Sequence, residues 1–252
     1  MNINSTASIV TGAASGLGAA TATALAAGGA HVFGLDLPRA IERAETVPGV
    51  EYLAVDVTDP DQIEQAVAHA MEGSAPLRSV VNCAGIGPST RIVGRAGMHN
   101  LADYARVVQI NLIGSFNVLA IAARAMTGLP ATETGERGVI INTASVAAYE
   151  GQVGQAAYAS SKGGIVGLTL PAARDLAQYG IRVNTIAPGI LETPMLASVS
   201  DEFRAGLAAG IPFPQRLGRP SEYADLALFI IDHEYINGEV IRLDAGLRMA
   251  SR

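Results

Sequence analysis

Seven short apolar runs, at residues 8–11, 31–36, 51–55, 77–82, 138–143, 182–187 and 239–243, punctuate this chain, with helical stretches between them at 16–28, 60–72, 103–126, 155–179 and 221–231. Runs this short and this continuously apolar predict strands buried on both faces. Parallel strands need long crossovers, and helices of these lengths supply them. The pattern predicts an α/β fold, a doubly wound, seven-stranded parallel sheet with helices on both faces. In such sheets ligands bind beyond the carboxyl ends of the strands. A length of 252 residues fits a single dinucleotide-binding catalytic domain over 1–252, in which about three quarters of the unfolded surface is buried. Two segments fall outside the pattern: 85–102, rich in Gly and Arg, and 189–220, which holds Pro194, Pro212, Pro214 and Pro220. Both read as long irregular excursions, and the loops at about 86–102 and 189–220 are expected to cover the substrate.

Composition narrows the partners. With 49% hydrophobic residues and a mean hydropathy of +0.30, the chain has more apolar side chains than a monomer of this size needs, which predicts surface buried between subunits. A net charge of −6 without a basic block argues against nucleic acid or an anionic membrane as partner. The single cysteine, Cys83, excludes an internal disulfide and fits a reducing compartment. Residues 1–7 are polar, with no signal or transit pattern, and no apolar run approaches the ~20 residues that span a bilayer. The expectation is a soluble intracellular protein, cytoplasmic if bacterial, with the mitochondrial matrix open if eukaryotic. No metal site is expected.

The first strand ends in Thr11-Gly12-Ala13-Ala14-Ser15-Gly16-Leu17-Gly18, directly before a helix. Its glycines permit a tight turn and let backbone N–H groups approach an anionic pyrophosphate. Their spacing, G-x-x-x-G-x-G, differs from the G-x-G-x-x-G fingerprint, so alone the run also fits a structural turn. Eighteen residues beyond Gly18, Asp36 closes the second strand. A carboxylate there accepts both ribose hydroxyls of an adenosine and repels a 2′-phosphate, favouring NAD over NADP. A loop or capping aspartate is the plainer alternative, and Arg39 nearby offers a phosphate a partner. Asp56-Val57, after the third strand, pairs a polar and an apolar contact for an adenine. Asn82-Cys83-Ala84-Gly85 ends the fourth with residues small enough to admit a flat ligand. Nothing basic stands near Cys83 in sequence, which predicts a small buried residue beside the cofactor and no catalytic thiol. Asn111 has apolar neighbours on both sides and, once buried, must satisfy its amide as a structural tie or within a polar network.

The chemistry concentrates between Arg137 and Leu170. Ser145 ends the fifth strand, and Tyr158 and Lys162 stand four apart on the following helix, hence on one face. Lys162 is the only lysine in a chain whose other cations are all arginines, which points to a site needing an ammonium specifically. A phenol, with a pKa near 10, is a poor base at neutral pH. An ammonium beside it and a positively charged nicotinamide ring above favour its ionised form. Tyr158 is then a general base for alcohol oxidation and the acid for carbonyl reduction. Ser145 can hydrogen-bond the substrate oxygen. Gln152 and Gln155 lie between them and either could donate to a thioester carbonyl, or both could be polar residues of an exposed loop. Arg91, Arg95, Arg204, Arg216 and Arg219 sit in the two long excursions as candidates, taken as a group, for the phosphates of coenzyme A.

In their order along the chain, the glycine run 11–18, Asp36, Asn82-Cys83-Ala84-Gly85, Asn111, Ser145, Tyr158-x-x-x-Lys162 and Pro188-Gly189 resemble the motifs of the short-chain dehydrogenase/reductase family. The resemblance covers essentially the whole chain and implies the Rossmann fold. The family usually has Asn-Asn-Ala-Gly after the fourth strand, and Cys83 departs from that. Implied with it are a catalytic tetrad of Asn111, Ser145, Tyr158 and Lys162, in which Asn111 holds a water linking Lys162 to solvent. A homotetramer, packing helices 103–126 and 155–179 against their copies, is implied as well. Leu35-Asp36-Leu37-Pro38, Pro212-Phe213-Pro214, Arg216-Leu217-Gly218 and Asn237 to Asp244 are similar to one branch, the type-2 3-hydroxyacyl-CoA dehydrogenases of fatty acid metabolism, which also act on hydroxysteroids. That branch implies NAD contacts from Ser15, Leu17, Asp36, Asp56, Val57, Cys83, Tyr158, Lys162 and Thr193, with Leu191 nearby. Gly12, Gly16, Gly18, Asn82, Ala84, Gly85, Pro188 and Gly189 complete the cofactor site. Leu191 stands where animal members have an aromatic residue, and the 86–102 loop differs in sequence and length. The expected reaction interconverts 3-hydroxyacyl-CoA and 3-oxoacyl-CoA. A hydroxysteroid or small-polyol dehydrogenase on the same scaffold is the alternative. A non-catalytic dinucleotide-sensing protein is the distant one, against which an intact Ser145, Tyr158 and Lys162 argue.

Overall fold

Ile9 and Val10, Val80 and Val81, Ile140 and Ile141 are adjacent pairs on three neighbouring strands, and all six side chains are fully buried. Successive side chains of a strand point to opposite faces, so burial of both members requires cover on both sides of the sheet. The computed structural model, which describes residues 1–95, 97–196 and 200–251, provides it. In chain order the elements are β1 (Ala7–Thr11), α1 (Gly16–Ala27), β2 (His31–Asp36), α2 (Pro38–Ile41), β3 (Val50–Ala54), α3 (Pro60–Glu72) and β4 (Leu77–Asn82). A short antiparallel hairpin, β5 (Val93–Gly94) and β6 (Gly97–Met98), precedes α4 (Leu101–Val108), a π-helical turn (Gln109–Gly114) and α5 (Ser115–Thr127). Then come β7 (Gly138–Thr143), α6 (Ala147–Glu150), α7 (Ala156–Ala177), β8 (Ile181–Pro188), α8 (Asp201–Ala209), α9 (Pro220–Asp232) and β9 (Val240–Leu243).

The large sheet runs β3-β2-β1-β4-β7-β8-β9, every ladder parallel. Strand order reverses between β1 and β4, which opens a crevice at their carboxyl ends. On one face Ile9, Val80, Ile140 and Val183 pack with Val67, Val118, Leu119 and Ala172 from α3, α5 and α7. On the other, Val10, Val81, Ile141 and Ile186 meet Leu25 of α1 and Tyr223 and Ile230 of α9. Each fully buried aliphatic side chain contributes ~1.5–3 kcal/mol.

Three local outcomes differ from the sequence expectation. The segment 189–220 is not wholly irregular, because α8 forms within it, between Pro194 and Pro212. The helix expected at 103–126 starts at Leu101, ends at Thr127 and contains the π turn. That helix, Leu101–Thr127, is also long and apolar enough to cross a membrane by length and composition, which corrects the expectation that no such run exists. Its buried positions are used against the protein's own elements: α5 packs on α3, β4 and β7, and the π turn on α7.

Candidate active site

A cleft of about 910 Å³ opens where the strand order reverses, beyond the carboxyl ends of the sheet. Its floor at β1 is the glycine turn. Gly12 and Gly16 have φ of +66° and +56°, which side chains rarely adopt. A Cβ on Gly12 would stand 2.9 Å from the Ala84 amide nitrogen, and one on Gly18 would collide with the Gly12 carbonyl oxygen. The turn therefore lies flat against β4, and Thr11 Oγ1 fastens it by accepting from the Cys83 and Ala84 amides, both at 3.1 Å. Ser15 precedes α1 in extended conformation, and its hydroxyl does not cap the helix. The α1 N-terminus thus faces the cleft with its amides, a setting that attracts phosphate.

Asp36, at the end of β2, accepts the Ala14 amide on Oδ2 at 2.9 Å and the Leu37 amide on Oδ1 at 2.8 Å. Each oxygen keeps a lone pair for two neighbouring hydroxyls. Asp56 is held by Thr58, whose amide and hydroxyl both donate to Oδ1, and Val57 lies buried beside it. Gly12, Ser15, Gly16, Leu17, Gly18, Asp36, Asp56, Val57, Cys83, Ala84, Gly85, Pro188, Gly189, Leu191 and Thr193 all line this one cleft. An adenosine diphosphate fits the chemistry of these donors: amides for phosphate, a carboxylate for a ribose, an apolar wall for a base. Asn82 and Lys162 are the two expected cofactor contacts that do not line the cleft, Lys162 lying buried behind Tyr158. Asn82 lies deeper in the sheet, donating through Nδ2 to Asn142 Oδ1 and the Ser115 carbonyl. Cys83 lines the cleft, and burial pushes its thiol up, away from thiolate character.

The catalytic candidates gather on the opposite wall. Tyr158 on α7 lines the cleft with Ser145, which follows β7. Burial raises the Tyr158 phenol above its ordinary range, and a hydrogen bond with the Ser145 side chain opposes that rise. Lys162 lies one turn further along α7, Nζ 5.7 Å from the Tyr158 ring centroid and donating to the Thr143 carbonyl at 2.7 Å. Its own pKa falls from 10.5 to about 8, because burial disfavours the ammonium. The expected favouring of the ionised phenol required a nicotinamide ring above it; in the protein alone desolvation outweighs the lowering from Ser145, and the phenol is raised.

Asn111 sits in the π turn and is fully buried. Its Oδ1 accepts from the Ile86 amide at 2.9 Å, while Nδ2 donates to the Ile86 carbonyl at 2.8 Å and to Ser161 Oγ at 3.1 Å. It is thus both a structural tie and a network member, joining the chain after β4 to α7 next to Lys162. It does not line the cleft.

Gln155 lines the cleft, and its Oε1 accepts from the Gln152 amide at 3.0 Å, which leaves its NH2 as the free end. Gln152 is corrected as a substrate contact: its side chain donates to the Ala250 carbonyl at 2.9 Å and does not line the cleft. None of Arg91, Arg95, Arg204, Arg216 and Arg219 lines it either. Arg216 is engaged by Glu222, Nη1 and Nη2 donating at 2.9 and 2.6 Å. The sequence reading missed Thr143 and Tyr223, whose hydroxyls meet at 2.7 Å behind Cys83, and the lining residues Arg106, Gln109 and Met249. Thr143 had a signal in its place two residues before Ser145; Tyr223 and Met249 lie too far along the chain to have one.

Residues 12–248 match the family model described as enoyl-(acyl carrier protein) reductase. The chain is 48% identical over 252 residues to 3-hydroxyacyl-CoA dehydrogenase type-2 of Drosophila melanogaster, covering 98% of this chain and 99% of the relative. It is 36% identical over 247 residues to 3-oxoacyl-[acyl-carrier-protein] reductase FabG of Thermotoga maritima, covering 95% and 96%. Among solved structures, 3-hydroxyacyl-CoA dehydrogenase type-2 from Mycobacterium avium superposes with a TM-score of 0.92 at 41% identity, covering 98% of each chain.

Proposed function

This chain belongs to the short-chain dehydrogenase/reductase family, and from that premise we propose that it interconverts 3-hydroxyacyl-CoA and 3-oxoacyl-CoA with NAD as cofactor. The coarser statement holds for the family: it is an oxidoreductase acting on a hydroxyl group of a small molecule. The observation that carries the chemical reading is the meeting of Ser145 and Tyr158 on the wall of one cleft, with the Lys162 ammonium 5.7 Å from the phenol ring centroid. The acyl-CoA assignment is supported by the names of the relatives and by the free NH2 of Gln155 in the cleft, a donor suited to a thioester carbonyl.

NAD, when bound, supplies the hydride acceptor. Asp36 orients the adenosine ribose through its two unspent lone pairs and repels a 2′-phosphate, while the α1 amides take the pyrophosphate. Ser145 donates to the substrate oxygen. Tyr158 accepts the carbinol proton on its phenol oxygen in oxidation and returns it in reduction. Because burial keeps this phenol protonated at neutral pH, the protein stands loaded for reduction, and oxidation requires the ionised form. Lys162 lends that ionised form its positive charge. Asn111 fixes Ile86 and Ser161, and so the backbone on either side of this proton site. A homotetramer built across α5 and α7 belongs to the same proposal.

Following NADH absorbance with a panel of 3-hydroxyacyl-CoA, hydroxysteroid and polyol alcohols tests the substrate class. Turnover of steroids or polyols alone would replace it. For the chemistry, Tyr158→Phe should bind NADH with near-normal affinity by fluorescence titration and lose ~10²–10⁴-fold in turnover, the usual share of a general acid–base group. Retained turnover would remove Tyr158 from that role.

A further inference from the structure

Beyond β9 the chain turns sharply. Ala245 and Gly246 have φ of +52° and +77°, and the turn brings Met249 to Ser251 back against Glu150, Gln152 and Val153. Arg242 holds this return. Its Nε donates to Asp244 Oδ2 at 2.6 Å, Nη2 to the Leu247 carbonyl at 3.0 Å, and Nη1 and Nη2 reach Glu150 Oε1 and Oε2 at 2.9 and 3.2 Å. Glu150 in turn accepts the Met249 amide on Oε2 at 3.1 Å. Gln152 Nε2 donates to the Ala250 carbonyl at 2.9 Å, and the Val153 amide donates to the Ser251 carbonyl at 3.1 Å. The segment is strapped, residue by residue, to the loop that leads into α7 and Tyr158.

Met249 is the one residue of the segment that lines the cleft, alongside Ser145, Gln155 and Tyr158. It also packs against the small apolar cluster of Ile211, Leu217 and Leu247, as Leu196 and Leu207 do. A thioether side chain with three rotatable bonds, held by its backbone and placed on the cleft wall, offers an adaptable apolar contact and no polar one. We propose that Leu247–Ser251 is a specificity-determining wall of the cleft, in which Met249 meets the hydrocarbon group attached to the reacting carbon. Glu150 is its positioning residue, acting through the Met249 amide.

The choice of acyl chain as that hydrocarbon group rests on the reading of the preceding section. The test compares kcat/KM for NADH-dependent reduction of acetoacetyl-CoA and 3-oxodecanoyl-CoA. Met249→Ala should raise the long-to-short ratio about tenfold, the scale of a few methylenes of pocket volume. Met249→Phe should lower it by a similar factor, and removal of residues 249–252 should move it in the same sense as the alanine. NADH affinity within about twofold of wild type marks a folded cofactor site, since Met249 is held by Glu150 and is not one of the residues expected to contact the dinucleotide. Glu150→Ala should shift the ratio as Met249→Ala does, and Glu150→Asp should restore it. If the wild type reduces neither thioester, the acyl-CoA reading fails, and the ratio is taken between bulky and small members of the alcohol class it does accept. In either substrate class, a ratio unmoved by all three changes at 249 overturns the wall.

Discussion

Lys162 is 5% exposed and its Nζ makes one hydrogen bond, to the Thr143 carbonyl. Holding an ammonium there is costly. In the folded protein the group gives up its proton near 8, and in the unfolded chain near 10.5. Between those values the unfolded chain binds more protons, so the Lys162 contribution to stability rises with pH across that window. Below pH 8 the penalty is fully present. Lys162→Met, which removes the charge and keeps the bulk, should therefore be more stable relative to wild type at pH 7 than at pH 10.5, by on the order of 3 kcal/mol. Denaturant unfolding of both proteins across that range checks it; a constant difference would mean that burial leaves the proton affinity of Lys162 unchanged. The uniqueness of this lysine made it legible in the sequence. Its neighbours were less so. Gln152 and Gln155 read alike as polar residues between Ser145 and Tyr158, and only their hydrogen bonds separate them, one to Ala250 and one facing the cleft.

At the level of elements, the strand ends were legible because each couples a short apolar run to glycine or to a small polar residue, both signals being local. The π turn was not. Its apolar residues continue those of α4 and α5, and a change of hydrogen-bond register leaves the composition untouched. Gly164 is what lets α7 reach it: a Cβ there would come within 2.6 Å of Leu112 Cδ2. Gly164→Val should push α7 off the turn, stretch the Asn111–Ser161 bond and cost ~1–3 kcal/mol by overpacking. Guanidinium unfolding measures the loss, and a variant with unchanged midpoint would show that Leu112 simply yields. Helix α8 was hidden for a different reason. Prolines on both sides of it read as breakers, whereas here they only bound it.

Over the whole molecule, Phe116 and Tyr179 stand 49% and 42% exposed on either side of a groove of about 450 Å³ between α5 and α7. Exposed apolar surface of that kind on a chain with a mean hydropathy of +0.30 is what an assembly covers. Phe116→Glu should split the proposed homotetramer into smaller species, read as a lower mass by light scattering; an undiminished mass would place the contact elsewhere. The topology was legible in outline, since periodicity and crossover length determine it. The contact of Leu247–Ser251 with Glu150 and Gln152 was not, because nothing in either segment announces the other across about a hundred residues. The buried lysine has one more effect, on the outer surface. With Lys162 as its sole lysine, the protein presents no side-chain amine to solvent, and thioesters are reagents that acylate exposed lysines without any enzyme's help. Its exterior is inert to that reaction, and an acylating reagent would reach its lysine only by penetrating to the buried position one turn along α7 from Tyr158.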